Sequence, residues 1–173
     1  MPSLHELRQR KHWSYSSLNQ LLNICSLQWF FQRVERLPSA FTPLSLAFGS
    51  AYHRVMEFVA LNRQDGSMPS ESDTRDLFRE VWKRQVEEDG DIAFGDKADP
   101  ESCAKQGMDM CAAYLEQIDP EEQVVGVSEV FAVPVGNSEL PLVGELDCVT
   151  ARLEEVTVID GWKAPLGGGG LRC

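Results

Sequence analysis

The sequence predicts an α/β fold of the α+β kind, with N-terminal helices packed on a small mixed β-sheet. Two observations predict it. Up to about residue 118 apolar residues recur three and four apart, and after the "DPEE" stretch at 119–122 the period changes to two. A third observation bounds the size: 173 residues, 43% hydrophobic and 25% charged, have the make-up of one ordinary globular domain with a real core.

The helices follow in order. "WSYSSLNQLLNICSLQWFFQRVERLP" reads as one helix, with Ser14 or Ser16 as N-cap and Leu18, Leu21, Leu22, Cys25, Trp29 and Phe30 at helical spacing. "PSAFTPLSLAFGS" reads as a turn-rich connection. "AYHRVMEFVALNR" is a second helix with Tyr52, Val55, Met56 and Val59 on its apolar stripe. His53 and Glu57, four apart, share a face beside that stripe. A polar loop at 64–73 supplies Asp73 as cap for a third helix ending near Glu88, and a fourth helix runs from about Glu101 to Ile118.

Three β-rich segments follow, "QVVGVSEVFAVPV", "LPLVGELDCVTA" and "EEVTVID", which read as an antiparallel meander. In the second, Val143, Glu145, Asp147 and Val149 alternate with Leu142, Gly144, Leu146 and Cys148. Asp147 is thus an acid in an otherwise apolar strand, and Gly144 leaves space for a close approach. In the third, Val156, Val158 and Asp160 share a face, and Lys163 lies just past the strand.

Composition narrows the function classes. A net charge of −11 argues against a protein whose main task is to coat DNA, since phosphate contacts supply most non-specific affinity. It is compatible with an enzyme that approaches nucleic acid through one basic face, for which "RQRKH" at 8–12, Arg33, Arg36 and Arg54 are candidates beside the alternative of scattered surface cations. No apolar run reaches the ~20 residues that span a bilayer. The polar, basic N-terminus shows no secretory signal, so a cytoplasmic protein without a membrane role is expected. Five cysteines without a C-x-x-C pair predict reduced thiols.

Two acids on neighbouring strands, a lysine beyond one of them and a helix histidine are a donor set for a hard cation. Mg²⁺ prefers carboxylate oxygens and water, and Mn²⁺ also accepts imidazole. A protonated lysine is not a ligand; it orients a water or neutralises phosphoryl charge. Singly, each residue has an ordinary alternative: Asp160 a turn residue, Lys163 a surface lysine, His53 a hydrogen-bonded helix residue.

Four motifs in order give the set a context. "SYSSLNQLLNICSLQWFFQRV", "LAFGSAYHRVMEF", "LVGELDCVTA" and "VTVIDGWKA" resemble the opening helix, the G-x-x-x-H-x-x-x-E motif, the G-x-x-D strand and the D-x-K strand of the PD-(D/E)XK nuclease superfamily. The likeness is to its RecB-like branch, which includes CRISPR-associated and AddB-type nucleases, and it covers residues 14 to about 164. The resemblance implies a restriction-endonuclease-like core and metal-dependent hydrolysis of DNA, exo- or endonucleolytic, in repair, recombination or processing of foreign DNA. It implies His53, Asp147 and Asp160 as ligands of Mg²⁺ or Mn²⁺ and Lys163 as the residue that positions the attacking water. Glu57 would orient His53 or a metal-bound water; Glu129 is a weaker candidate.

The chain departs from that pattern in three places. Asp160 and Lys163 are separated by two residues, Gly161 and Trp162, and a β-bulge at Gly161 would return Lys163 to the Asp160 side. The family's Gln-x-x-x-Tyr helix is not found in "APLGGGGLRC", which predicts one domain over residues 1–164, a disordered glycine-rich tail over 165–173, and a core completed by a partner chain or a missing C-terminal segment. Some relatives hold an iron–sulfur cluster; here Cys25 alone matches its cysteines, four thiolates being the norm, so no cluster is expected and Cys25 is read as a small buried core residue. A catalytically degenerate binding or scaffold module is the alternative reading.

Overall fold

The computed structural model describes residues 3–96, 98–152, 156–159 and 162–165, the last two segments by their backbone alone. Its elements bear out the α+β expectation: six α-helices, two π-helical turns and six strands among the described residues. The chain divides into two compact units, one of residues 1–40 and 128–147, the other of 41–127 and 148–173.

In the first unit, α1 (Leu4–Arg8) starts at Ser3, whose hydroxyl accepts from the Glu6 N–H while the Glu6 side chain accepts from the Ser3 N–H. The single helix predicted from Ser14 onward is not continuous. It is α2 (Tyr15–Asn19), a π-turn over Gln20–Ile24, α3 (Ser26–Trp29) and a second π-turn over Phe30–Val34. Of the two predicted caps Ser14 is the one used, accepting from the Ser17 N–H at 3.2 Å. The break falls at Cys25, whose backbone is extended and whose sulfur accepts from the Gln28 N–H. Cys25 is exposed, which corrects its reading as a core residue. The physical reason is that no residue of the predicted stripe is fully buried, Leu22 and Phe30 being 73% and 40% exposed, and helices of this length depend on a packed face.

The second unit is built on three long helices. α4 (Leu44–Gln64) begins directly after Pro43, seven residues earlier than the expected start at Ala51, and takes in part of the segment read as turns. Burial decides this, since Ala47 and Ala51 are both buried against its neighbours, as are Val55 and Val59 of the predicted stripe. α5 (Glu71–Glu88) is capped by Ser70, which accepts from the Asp73 N–H; Asp73 is three residues inside the helix and is not the cap. α6 (Pro100–Gln117) is capped by Asp99, which accepts from the N–H groups of Glu101 and Ser102. The core between them holds Phe78 and Trp82, whose indole donates to the Pro100 carbonyl at 2.8 Å. Gly107 permits α5 and α6 to close up, because a Cβ there would lie 1.9 Å from the Phe78 ring. None of the described helices is long and apolar enough to cross a membrane.

The strands form three two-stranded sheets among the described residues. β1 (Thr42–Pro43) pairs in parallel with β2 (Ile92–Ala93), β3 (Glu122–Val133) pairs with β4 (Leu142–Arg152), and β5 (Val156–Ile159) pairs antiparallel with β6 (Trp162–Pro165). All three predicted strands exist; among the described residues β5 pairs with the following β6, and no pairing of β4 with β5 that would complete the predicted meander is found. Residues 166–173 of the expected tail lie outside the described residues.

Candidate nucleic-acid interface and active-site residues

The chemistry-bearing residues of the second unit begin with His53 and Glu57, one turn apart on α4 and both half-buried. They flank the fully buried Val55, so the helix that seats the core also fixes these two side chains. Arg54, beside them, is exposed. Deeper in the unit, burial pushes the Cys111 thiol up to about 11 and raises the Tyr52 phenol, the latter also through Cys111 and Tyr114. Both groups are therefore neutral at physiological pH and act as packing residues.

At the end of the chain, Val158 pairs with Lys163 and Ile159 with Trp162. Asp160 and Gly161 lie outside the described residues, and with them the bulge expected at Gly161. The described residues on either side run antiparallel, so the strand read straight through "VTVIDGWKA" instead reverses between Ile159 and Trp162.

In the first unit, Asp147 is exposed near the end of the stretch of β4 that begins with the buried Val143. Gly144 does accommodate a close approach, and the group that approaches is the ring of Phe131 on β3: a Cβ at 144 would lie 2.5 Å from it. Glu129 is exposed and follows Ser128, whose backbone is left-handed at φ 53°.

The chemistry of His53, Asp147 and Asp160, one imidazole and two carboxylates, suits a hard divalent cation. The described residues contain no group of three or more His, Cys, Asp and Glu placed to hold a metal ion. His53 belongs to one unit, Asp147 to the other, and Asp160 lies outside the described residues.

What the structure does gather is positive charge. A cavity of about 590 Å³ in the first unit is lined by Arg8, Arg10, Lys11, His12, Arg33 and Arg36. The expected basic face is therefore a cleft, and Arg54 is not part of its lining. Two chain segments meet there because Trp13 is held by β4: its N–H donates to the Pro141 carbonyl at 2.9 Å, and its carbonyl accepts from the Val143 N–H at 2.8 Å. The far wall comes from Trp29 at the end of α3, Gln32 and Arg33 in the second π-turn, and Arg36 just beyond it. Trp29 donates through its indole N–H to the Ser17 hydroxyl at 2.8 Å, and Gln32 accepts from Gln20 at 2.6 Å. Sequence reasoning places Trp13 and Trp29 only as flanking and stripe residues; the signals that mark them are the cationic run immediately before Trp13 and the i, i+3, i+4, i+7 spacing from Trp29.

Compared with known families, residues 12–164 match the PD-(D/E)XK nuclease superfamily. The chain belongs to that superfamily. The match spans both compact units and contains all the candidate residues, from His53 to Lys163. Members of the PD-(D/E)XK superfamily are nucleases that generally use divalent metal ions, with DNA as substrate. Searches of curated proteins and of solved structures gave no match.

Proposed function

We propose that this chain is a metal-dependent DNA nuclease of RecB-like type that hydrolyses phosphodiester bonds in DNA repair, recombination or processing of foreign DNA in the cytoplasm. The observation that carries the reading is the superfamily match over residues 12–164. His53, Asp147 and Asp160 are assigned as ligands of Mg²⁺ or Mn²⁺, which when bound would stabilise negative charge on the phosphoryl group. Lys163 orients the attacking water, and Glu57 holds His53 in its ligating orientation. A protein partner is part of this proposal.

The reversal between Ile159 and Trp162 favours a second reading, because it puts Lys163 on a different strand from the residues leading into Asp160. A degenerate module would keep the fold and bind without cutting. The two readings separate when the chain is incubated with linear single- and double-stranded DNA in Mn²⁺, in Mg²⁺ and in chelator. The nuclease reading expects metal-dependent cutting that falls about 100-fold or more in Asp160→Asn and in Lys163→Met, the scale on which loss of an electrostatic catalytic group acts. A wild type that never cuts, while still shifting its melting temperature with Mn²⁺ in a His53-dependent way, establishes the degenerate module.

A further inference from the structure

We propose that the cleft of the first unit is a binding site for single-stranded nucleic acid, in which guanidinium and ammonium groups hold the phosphates and two tryptophans receive the bases. The proposal rests on the nucleic-acid reading above and goes beyond it by naming the strand form and the place where it is held.

The charge distribution is the first argument. The chain has a net charge of −11 and only 16 Lys and Arg. Five of these, Arg8, Arg10, Lys11, Arg33 and Arg36, line one cavity that contains no Asp or Glu in its lining. None of the five makes an ion pair among the described residues; those pairs lie on α5 and α6 and between Asp119 and Arg152. Arg10 acts weakly on Glu6, whose carboxylate is already engaged at the N-terminus of α1. All five cations are exposed at the surface of the cleft. Concentrating unpaired cations in this way costs mutual repulsion, which a polyanion relieves.

The backbone supplies the second. Arg36 has a left-handed backbone, φ 54°, where a non-glycine residue is uncommon. It closes the second π-turn, with the Leu37 N–H donating to the Phe31 carbonyl, in the manner of a helix C-terminus that favours glycine. An arginine at this position carries a conformational cost, and it also lines the cleft.

The indoles decide the strand form. Trp13 and Trp29 both line the cavity, and both are fixed: Trp13 by its backbone bonds to β4 and its indole bond to Ser138, Trp29 by Ser17. A cationic groove combined with aromatic rings is the arrangement that holds single strands, because every unpaired base offers a face to stack on. A duplex keeps those faces inside its own stack and leaves the rings unused.

The test is binding of the full chain, in chelator so that nothing is cut, to a short oligothymidylate, to an abasic oligomer of equal length and to a hairpin duplex of equal phosphate number. The expected order is oligothymidylate tightest, with quenching of tryptophan fluorescence on binding. Trp29→Leu should weaken that complex about 5- to 150-fold, as removal of one stacking partner does. The log-affinity against log-salt plot should become shallower by about 1.4 in Arg33→Gln/Arg36→Gln, about 0.7 for each single-strand phosphate that is no longer neutralised. Arg54→Gln, outside the cleft, should leave the slope unchanged. Equal affinity for oligothymidylate and duplex, or for oligothymidylate and the abasic oligomer, overturns the proposal without any variant, so a misfolded Trp29→Leu leaves it testable. A slope that Arg54→Gln alters as much as the paired arginine variant also overturns it. Cleavage is measured separately in Mn²⁺: a chain that binds as described and never cuts defeats the nuclease reading alone, and one that cuts normally in every cleft variant defeats the cleft alone.

Discussion

Gly107→Ala should destabilise the protein although it improves the local helix. Alanine in the interior of α6 contributes about 1 kcal/mol of helix propensity over glycine. Against this, the added Cβ would lie 1.9 and 2.0 Å from two ring carbons of Phe78. Carbon atoms pack at about 3.5–4.0 Å, so ring and helix must separate by about 1.6 Å. Phe78 has nowhere to go: it is fully buried, and its ring centre is 5.6 Å from that of Phe48. Overpacking of a close-packed core costs typically 1–3 kcal/mol and sometimes more. With so large an overlap the upper part of that range applies, and the net loss is about 2 kcal/mol after the propensity gain. For a chain of this size that is a fall in melting temperature of about 4–8 °C. Thermal unfolding followed by circular dichroism, with a urea titration alongside, measures it. The companion variant Phe78→Leu should reduce the penalty of Gly107→Ala, since the two residues are in direct contact and their effects should not add. A Gly107→Ala protein that is more stable than wild type, or one whose penalty is unchanged by Phe78→Leu, would refute the close approach of α5 and α6. The matter bears on function because α4, which carries His53 and Glu57, packs on the same core.

Two further outcomes follow from the titrating groups. The Ser102 N–H bond to the Asp99 carboxylate, then the nearby Ser102 side chain, with a smaller contribution from the Glu101 N–H, holds the Asp99 carboxyl below its ordinary value of 3.8. Its charged form therefore stabilises the start of α6 fully above pH 3.8, and that support is lost as the pH falls through the lower folded value. Asp99→Asn should show less acid sensitivity than wild type below about pH 4 in melting experiments, and identical acid profiles would remove the cap from the account. For Cys111 the sign is opposite. Its thiol moves from 9.0 to about 11 on folding, so the stability of the neutral form is complete below pH 9.0 and lost as the pH rises through about 11. Iodoacetamide at pH 8 should accordingly modify the exposed Cys25 and spare Cys111 until the protein is unfolded, as mass spectrometry of the peptides would show. Rapid labelling of native Cys111 would contradict its burial.

The parts of the fold that are legible in the sequence are those set by neighbours along the chain. α6 lies within a residue of both predicted limits and α5 ends at the predicted Glu88, although it starts three residues before the predicted position, because caps and apolar period act over one or two turns. The Ser70 cap shows the same locality at finer grain, since the serine lies three residues before Asp73 and reaches its N–H directly. The errors share one cause. The segment from Ser14 has a helical stripe with little burial, so it breaks at Cys25, while the segment from Leu44 reads as turns and becomes helix because Ala47 and Ala51 are buried. In both, tertiary contact outweighed propensity.

The candidate residues divide along the same line. Residue type and order, with an imidazole and a carboxylate one helical turn apart and acids on successive strands, are properties of the linear chain and are enough to point to the superfamily. The cationic cleft is a different kind of fact. Residues 8–13 and 29–36 form its walls, tied across the intervening turns by the Trp29–Ser17 and Gln20–Gln32 bonds, while the bonds of Trp13 to Pro141 and Val143 bring in a segment more than a hundred residues away. Charge and period are carried by the sequence, but a field focused in one concave place depends on which distant segments share a wall, and only folding decides that.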